Sequence, residues 1–221
     1  YTPNNVVLVN TTLTFPNNTP RAISGLMTVQ SGCTFEMSNL SPFSCGDLLI
    51  QSGATLNAAD GSITINDGGA LTNNGTLNAG TGEVVFGGAG TATGTFIFNH
   101  VDISGAVDFG ENATVNGVFS IKTGGSINTN PPVYSPNATL EYATGGTYTS
   151  GIELRITAPP GKLIVTNNTA LSLSQQSWVA GDVTINAGSS INAGYSFTID
   201  NSLVNESNLA LGIFSPRYEN I

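Results

Sequence analysis

The residues able to do chemistry are few. Cys33 and Cys45 lie 12 positions apart, and in an oxidising compartment a bridge between them would stabilise the fold by about 2–3 kcal/mol by closing a loop in the unfolded chain. A disulfide is the expectation, with two buried thiols as the alternative. Cleavage of a polysaccharide needs clustered carboxylates, often with calcium, and a basic side chain on the same strand face. The nearest acidic pair is Asp102 and Asp108, but 56 positions on their places are taken by Ala158 and Ile164, and His100, the sole histidine, has no evident partner. The run Gly87-Gly88-Ala89-Gly90 lacks the Asp of a calcium-binding glycine repeat. Asp60-Gly61 and Asp67-Gly68 read as turns. Thr91-Ala-Thr93 recurs as Thr147-Tyr-Thr149, which suggests ice binding less than it does ordinary outward-facing β-branched residues. No catalytic, cofactor or metal residue is assigned, and the chain is not expected to be an enzyme.

The elements that would position such residues are set by an unusual composition. Charged residues make up 9% of 221, against roughly a quarter in an ordinary soluble domain, and Gly, Asn, Thr and Ser take their place. Fourteen acidic and five basic side chains leave a net charge of −9. That repels a phosphate backbone, so nucleic acid and anionic membranes are set aside as partners. The longest apolar runs, such as Val6-Val7-Leu8-Val9, fall far short of the roughly 20 residues of a membrane-spanning helix. The chain opens at Tyr1 with no apolar leader, which reads as a mature product or a fragment. Sequons at Asn10, Asn39, Asn74, Asn112, Asn137, Asn167 and Asn205 are about as frequent as this Asn and Thr content produces by chance.

A nine-residue figure repeats along the chain: apolar, x, apolar, two variable residues, Gly or Asn, two small residues, apolar. It occurs at Met27 to Phe35, Leu48 to Leu56, Ile63 to Leu71, Val107 to Val115, Phe119 to Ile127, Leu163 to Leu171 and Val183 to Ile191. Apolar residues at i and i+2 share one strand face, and Gly or Asn tolerates the positive φ of a tight corner. The figure is therefore strand, corner, strand, with no helical period anywhere. Residues 63–115 also match 119–171 without a gap at an offset of 56: Val84 and Phe86 meet Leu140 and Tyr142, and Val107 and Phe109 meet Leu163 and Val165. A third copy opens at Val183, eight positions late, after a segment with Gln175, Gln176 and the single Trp178 that is expected on a surface loop. Fifty-six residues divide into two or three coils of about 19 to 28, and stacked coils explain why equivalent positions stay equivalent. The expected fold is all-β, a right-handed parallel β-helix or β-solenoid, with a β-sandwich as the alternative. Asn57, Asn78, Asn128 and Asn192 each follow a closing apolar residue and are expected to stack as an amide ladder.

The figures Gly75-Thr-Leu-Asn-Ala-Gly-Thr-Gly-Glu-Val-Val-Phe86 and Gly181-Asp-Val-Thr-Ile-Asn-Ala-Gly188 resemble the repeats of large secreted and surface-attached bacterial proteins, notably of Bacteroidota, over roughly residues 25–212. The resemblance implies passive stalks, adhesins or surface-layer components, outside the cell or on its surface.

Organisation follows: an N-terminal strand-like arm at 1–20, a solenoid over 21–212 with repeats opening near 63, 119 and 183, and a tail at 213–221. In the arm, Val7, Val9, Thr11, Leu13 and Phe15 alternate with Val6, Leu8, Asn10, Thr12 and Thr14, an extended run suited to capping its own rod or adding to a neighbour. The functional expectation is a self-assembling filament or surface-layer subunit joined end to end by strand addition, the arm of one subunit pairing with its neighbour, with itself as the main partner. The alternative is a stalk or ligand-binding module of an adhesin, with surface glycans as partners.

Overall fold

The structure, a computed structural model, describes residues 2–15, 18–37, 40–207 and the backbone of 214–216. The sequon at Asn39, Pro16 and the rest of the 213–221 tail lie outside the described residues. The chain is a parallel β-solenoid of about nine turns, with no helix among the described residues. Every strand pairing is parallel, which excludes the antiparallel sandwich.

Each coil passes three faces. The opening coil carries β1 (Val6–Leu8), β2 (Thr12–Phe15) and β3 (Arg21–Ala22), and the next carries β4 (Leu26–Val29), β5 (Thr34–Met37) and β6 (Pro42–Cys45). Then come β7 (Asp47–Ile50), β8 (Thr55–Asn57) and β9 (Ser62–Ile65), followed by β10 (Gly69–Asn73), β11 (Thr76–Asn78) and β12 (Glu83–Phe86). In mid-rod the corners flatten: β13 (Gly90–Ile103) bends through all three faces, and the following coil is β14 (Ala106–Asp108) with β15 (Asn112–Lys122). After β16 (Ser126–Ile127), β17 (Val133–Tyr134) and β18 (Thr139–Ala143), a long connection at 150–161 separates β19 (Thr147–Thr149) from β20 (Lys162–Val165). The last coils hold β21 (Ala170–Ser172), β22 (Ser177–Val179), β23 (Val183–Ile185), β24 (Ser190–Asn192), β25 (Phe197–Ile199), β26 (Leu203–Asn205) and β27 (Phe214–Pro216). The third face is the spine. Its ladder runs unbroken from β3 through β6, β9, β12, β13, β15, β18, β20 and β23 to β26.

The corner argument holds residue by residue. In six copies of the nine-residue figure the Gly or Asn has positive φ: Gly32 (77°), Gly53 (77°), Gly68 (79°), Gly124 (85°), Asn168 (55°) and Gly188 (80°). The copy at Val107 to Val115 differs, because there the left-handed residue is Gly110 (62°) and Asn112 opens a strand instead. Between corners, the apolar pair turns inward and stacks with its equivalents one coil away. Aromatic rings fill the thickest part of this core: Phe109 sits edge-on to Phe86 at 5.6 Å and to Phe119 at 5.5 Å, a geometry that ring quadrupoles favour.

Two expectations about the repeat change. Ile63, Val84, Val101 and Phe119 lie in successive coils of the third face, so 56 residues make three coils. From Phe119 through Leu140 and Leu163 to Val183 there are again three coils. Most of the excess enters between Leu140 and Leu163, in the 150–161 connection, and Trp178 stands in the middle of β22 instead of on an inserted loop. The gapless match therefore fails beyond Tyr142. Val107 belongs to β14 on the first face, whereas Leu163 belongs to β20 on the third. A short apolar motif recurring about every coil produces such false registers.

The N-terminal run is also not a detached arm. β1 pairs with β4 and β2 with β5 in the common register, and the backbone carbonyls of Pro3 and Asn4 accept from Ser24 (3.0 Å) and Gly25 (2.6 Å). The alternation breaks at Asn10, whose φ of 50° makes a corner. Leu8 and Phe15 consequently both point inward, Leu13 is half-buried, and Val7 and Val9 are each 52% exposed.

A Cβ on Gly68 would meet nothing within 4 Å, so its conformation alone penalises substitution. Gly68→Ala is expected to cost about 1 kcal/mol, lowering Tm by roughly 2–4 °C, and Gly68→Asn distinctly less, as Asn168 occupies the equivalent corner. Equal losses in thermal melts would mean the corner is not set by backbone conformation.

Candidate functional surfaces

The cysteines are not bridged. Cys33 and Cys45 are free and buried, at 1% and 0% exposure. Twelve residues in this fold are more than half a coil: Cys33 opens the strand of one face, its Sγ donating to the Leu8 carbonyl (3.3 Å), while Cys45 closes β6 on another and stacks on Ile65. Burial, with Asp47 contributing, pushes the Cys45 thiol up to about 12. Thiol titration should therefore find none reactive in the native protein and two after denaturation.

The amide ladder forms in part. Asn78 Nδ2 donates to Asn57 Oδ1 (2.6 Å), and Asn57 Nδ2 donates in turn to Glu36 Oε1 (2.6 Å). This column stands on the second face, where Glu36, Asn57 and Asn78 are register partners. Asn128 and Asn192 do not join it. Asn128 follows β16, and Asn192 pairs with Ser172 on β21.

The charged residues are less scattered than their sequence positions suggest. On the outer side of the third face, Lys122 Nζ lies 3.4 Å from Asp102 and 3.5 Å from Glu141, and Ser120 Oγ donates to Glu141 (2.5 Å). Asp102, Ser120 and Glu141 are register partners in three consecutive coils. Glu83 completes the group. Its carboxyl is raised above the usual range by burial first, then by the charge of Asp102 and a hydrogen bond to it, with Lys122 opposing. Asp108 stands apart on the first face, held below the usual range by hydrogen bonds from Thr129, the Gly110 amide and Asn130. His100 accepts from the Val118 amide at Nδ1 (3.2 Å), beside the register shift that separates Phe98 from His100. The threonine pairs form no common array: Thr91 and Thr93 stack on Ala70 and Thr72, whereas Thr147 and Thr149 stack on Ala170 and Ser172.

One acidic residue escaped the sequence reading. Glu153, in the 150–161 connection, is 1% exposed and points into the core. Its Oε1 accepts from Tyr142 (2.8 Å) and from the Gly151 amide (2.7 Å), while Oε2 and the Tyr134 hydroxyl are buried without partners. Burial, then the neighbouring Glu153, holds the Tyr142 phenol well above its ordinary range. The clue lay in the spacing of Leu140 and Leu163, which lengthens one coil around this side chain. Among the described residues no group of three or more His, Cys, Asp and Glu side chains is arranged to hold a metal ion, and no helix is long and apolar enough to cross a membrane.

No family model, curated protein or solved structure matches the chain. Fold alone classes it, as an all-β parallel solenoid.

The raised Glu83 carboxyl has a sign that can be measured. The fold favours its protonated form, so its contribution is full below the ordinary value of 4.5 and is lost as pH rises through the higher folded value. Glu83→Gln mimics the neutral acid at every pH. The melting-temperature difference between this variant and the parent should thus favour the variant more at pH 7 than at pH 4; a difference independent of pH would contradict the raised carboxyl.

Proposed function

We propose that the chain is an extracellular structural protein, a solenoid subunit that stacks end to end into a filament or surface layer. The observation that carries this reading is the ladder edge of the first described coil: β1, β2 and β3 each pair on one side only among the described residues. The Leu8 carbonyl accepts from Gln30 and the Thr11 carbonyl from Thr34. Because alternate residues of a parallel strand direct their backbone groups to opposite neighbours, Val7 presents N–H and C=O to the outside and Thr12 its N–H, while the Thr12 carbonyl accepts from Thr11 Oγ1 (3.4 Å). An unpaired row of this kind is a template for another strand. At the other end, β26 pairs only with β23 among the described residues, and Val204 is 48% exposed.

A low surface charge supports the reading further, since edge charges are the usual protection against pairing. The junction then differs from an exchanged arm. One coil docks on another, continuing the in-register ladder, and a contact that does not close on itself propagates as a fibre. The extracellular location rests on composition and on the resemblance to surface-attached bacterial repeats. A stalk or ligand-binding module of an adhesin would use the same rod without self-contact.

Fibres are expected in electron micrographs of the concentrated protein. Removing the outward donors with Val7→Pro and Thr12→Pro, or charging the edge with Val7→Lys and Val9→Lys, should abolish them while the strand spectrum by circular dichroism is kept. Persistent fibres in both variants would place the junction elsewhere, and a parent protein that stays monomeric would overturn assembly in favour of the stalk.

A further inference from the structure

The one enlarged connection builds a groove on the side of the rod. Trp178 and Thr198 are register partners on the outward side of β22 and β25. Beside them stands Ile156, 45% exposed, and with exposed Gln176 the four residues line a groove of about 320 Å³.

Its walls are held in place before any ligand arrives. Trp178 Nε1 donates to Asp200 Oδ2 (2.9 Å), which fixes the plane of the indole. Gln175 Nε2 donates to the carbonyls of Gly151 (3.2 Å) and Leu154 (3.3 Å), clamping the connection onto the following coil. Ser174 Oγ donates to the Ser150 carbonyl (2.5 Å). Leu154 and Glu153 are buried, at 0% and 1% exposure, so the connection that carries Ile156 is pinned from inside as well. Burying the Glu153 carboxyl with one oxygen unpartnered is costly, and its return is a fixed position for the residues around it.

The chemistry of the lining is mixed in a particular way. An indole and a branched aliphatic chain offer apolar surface, while a primary amide, a hydroxyl and the Asp200 carboxylate supply donors and acceptors at the edge. A pyranose ring has the matching pattern, C–H groups on its face and hydroxyls around its rim. The volume lies at the small end of ligand sites, roughly 300–1,000 Å³. Anionic sugars are disfavoured by Asp200 and by the chain's net charge of −9. We propose that this groove binds a neutral hexose unit of an oligosaccharide, a lateral glycan site independent of end-to-end assembly.

Trp178 is the only tryptophan, so fluorescence excited at the red edge of the indole band, where the six tyrosines do not absorb, reports on this groove. Titration of the full chain with glucose-, mannose- and galactose-based neutral hexaoses should give a saturable change in emission with at least one, and none with hexagalacturonate. Calorimetry with the responsive sugar should then show affinity at least tenfold weaker for Trp178→Ala and for Ile156→Asp, with melting temperatures recorded to confirm folding. Gln176→Ala, on an exposed side chain with little structural role, should weaken binding without moving the melt. No saturable response to any neutral hexaose at millimolar concentration, an equal response to the anionic one, or binding unaltered by all three substitutions would each overturn the site.

Discussion

Everything in this molecule depends on in-register stacking of each coil on the one before. Backbone ladders require equivalent residues to meet one coil away, and the inward apolar pair can be buried only if its equivalents are also inward. The third face obeys this without interruption from β3 to β26. The other two faces do not. The second face breaks after β11 and again between β17 and β22, and the first breaks after β16. Variation in coil size is thus confined to two faces while the third preserves alignment.

Those breaks accompany the irregular parts of the rod. Where the coils shorten, β13 and β15 bend through corners without a turn, and His100 satisfies an amide beside the register shift. Where a coil lengthens, the added residues cannot all be apolar and compact, and Glu153 is taken inside with them. A carboxylate in a thin core is expensive unless its oxygens are occupied. The hydrogen bonds from Tyr142 and Gly151 offset part of that cost, and the clamp from Gln175 ties the same segment outside. Opposing inner and outer anchors make the connection a fixed ledge, and Ile156 and Trp178 owe their relation to it.

The charged group around Lys122 shows how stacking creates chemistry that chain order hides. Asp102, Ser120 and Glu141 stand about one coil apart in sequence and side by side in space. Strand spacing of about 4.8 Å brings such side chains within reach, and Lys122 bridges the two carboxylates, Asp102 and Glu141. The cysteines illustrate the reverse, because residues 12 apart fall on different corners of the same coil.

What the sequence determined by itself was local: the period of two, the strand–corner–strand figure and the Gly or Asn at each corner. These are legible because pleat and φ restriction act within a few residues, and six of seven corners fall where the motif puts them. Stacking into a parallel solenoid followed from repetition. Register did not. A nine-residue figure recurring on more than one face let Val107 align with Leu163 although they occupy different faces, and only the ladder shows that 150–161 is the enlarged segment. Asn10 likewise reads as one more member of an alternating run, yet its left-handed backbone turns Leu8 and Phe15 to the same interior. The placement of Glu153 inside, of Trp178 beside Ile156 and of Lys122 among three carboxyls was decided by coil length, a sum over twenty residues that no short motif contains.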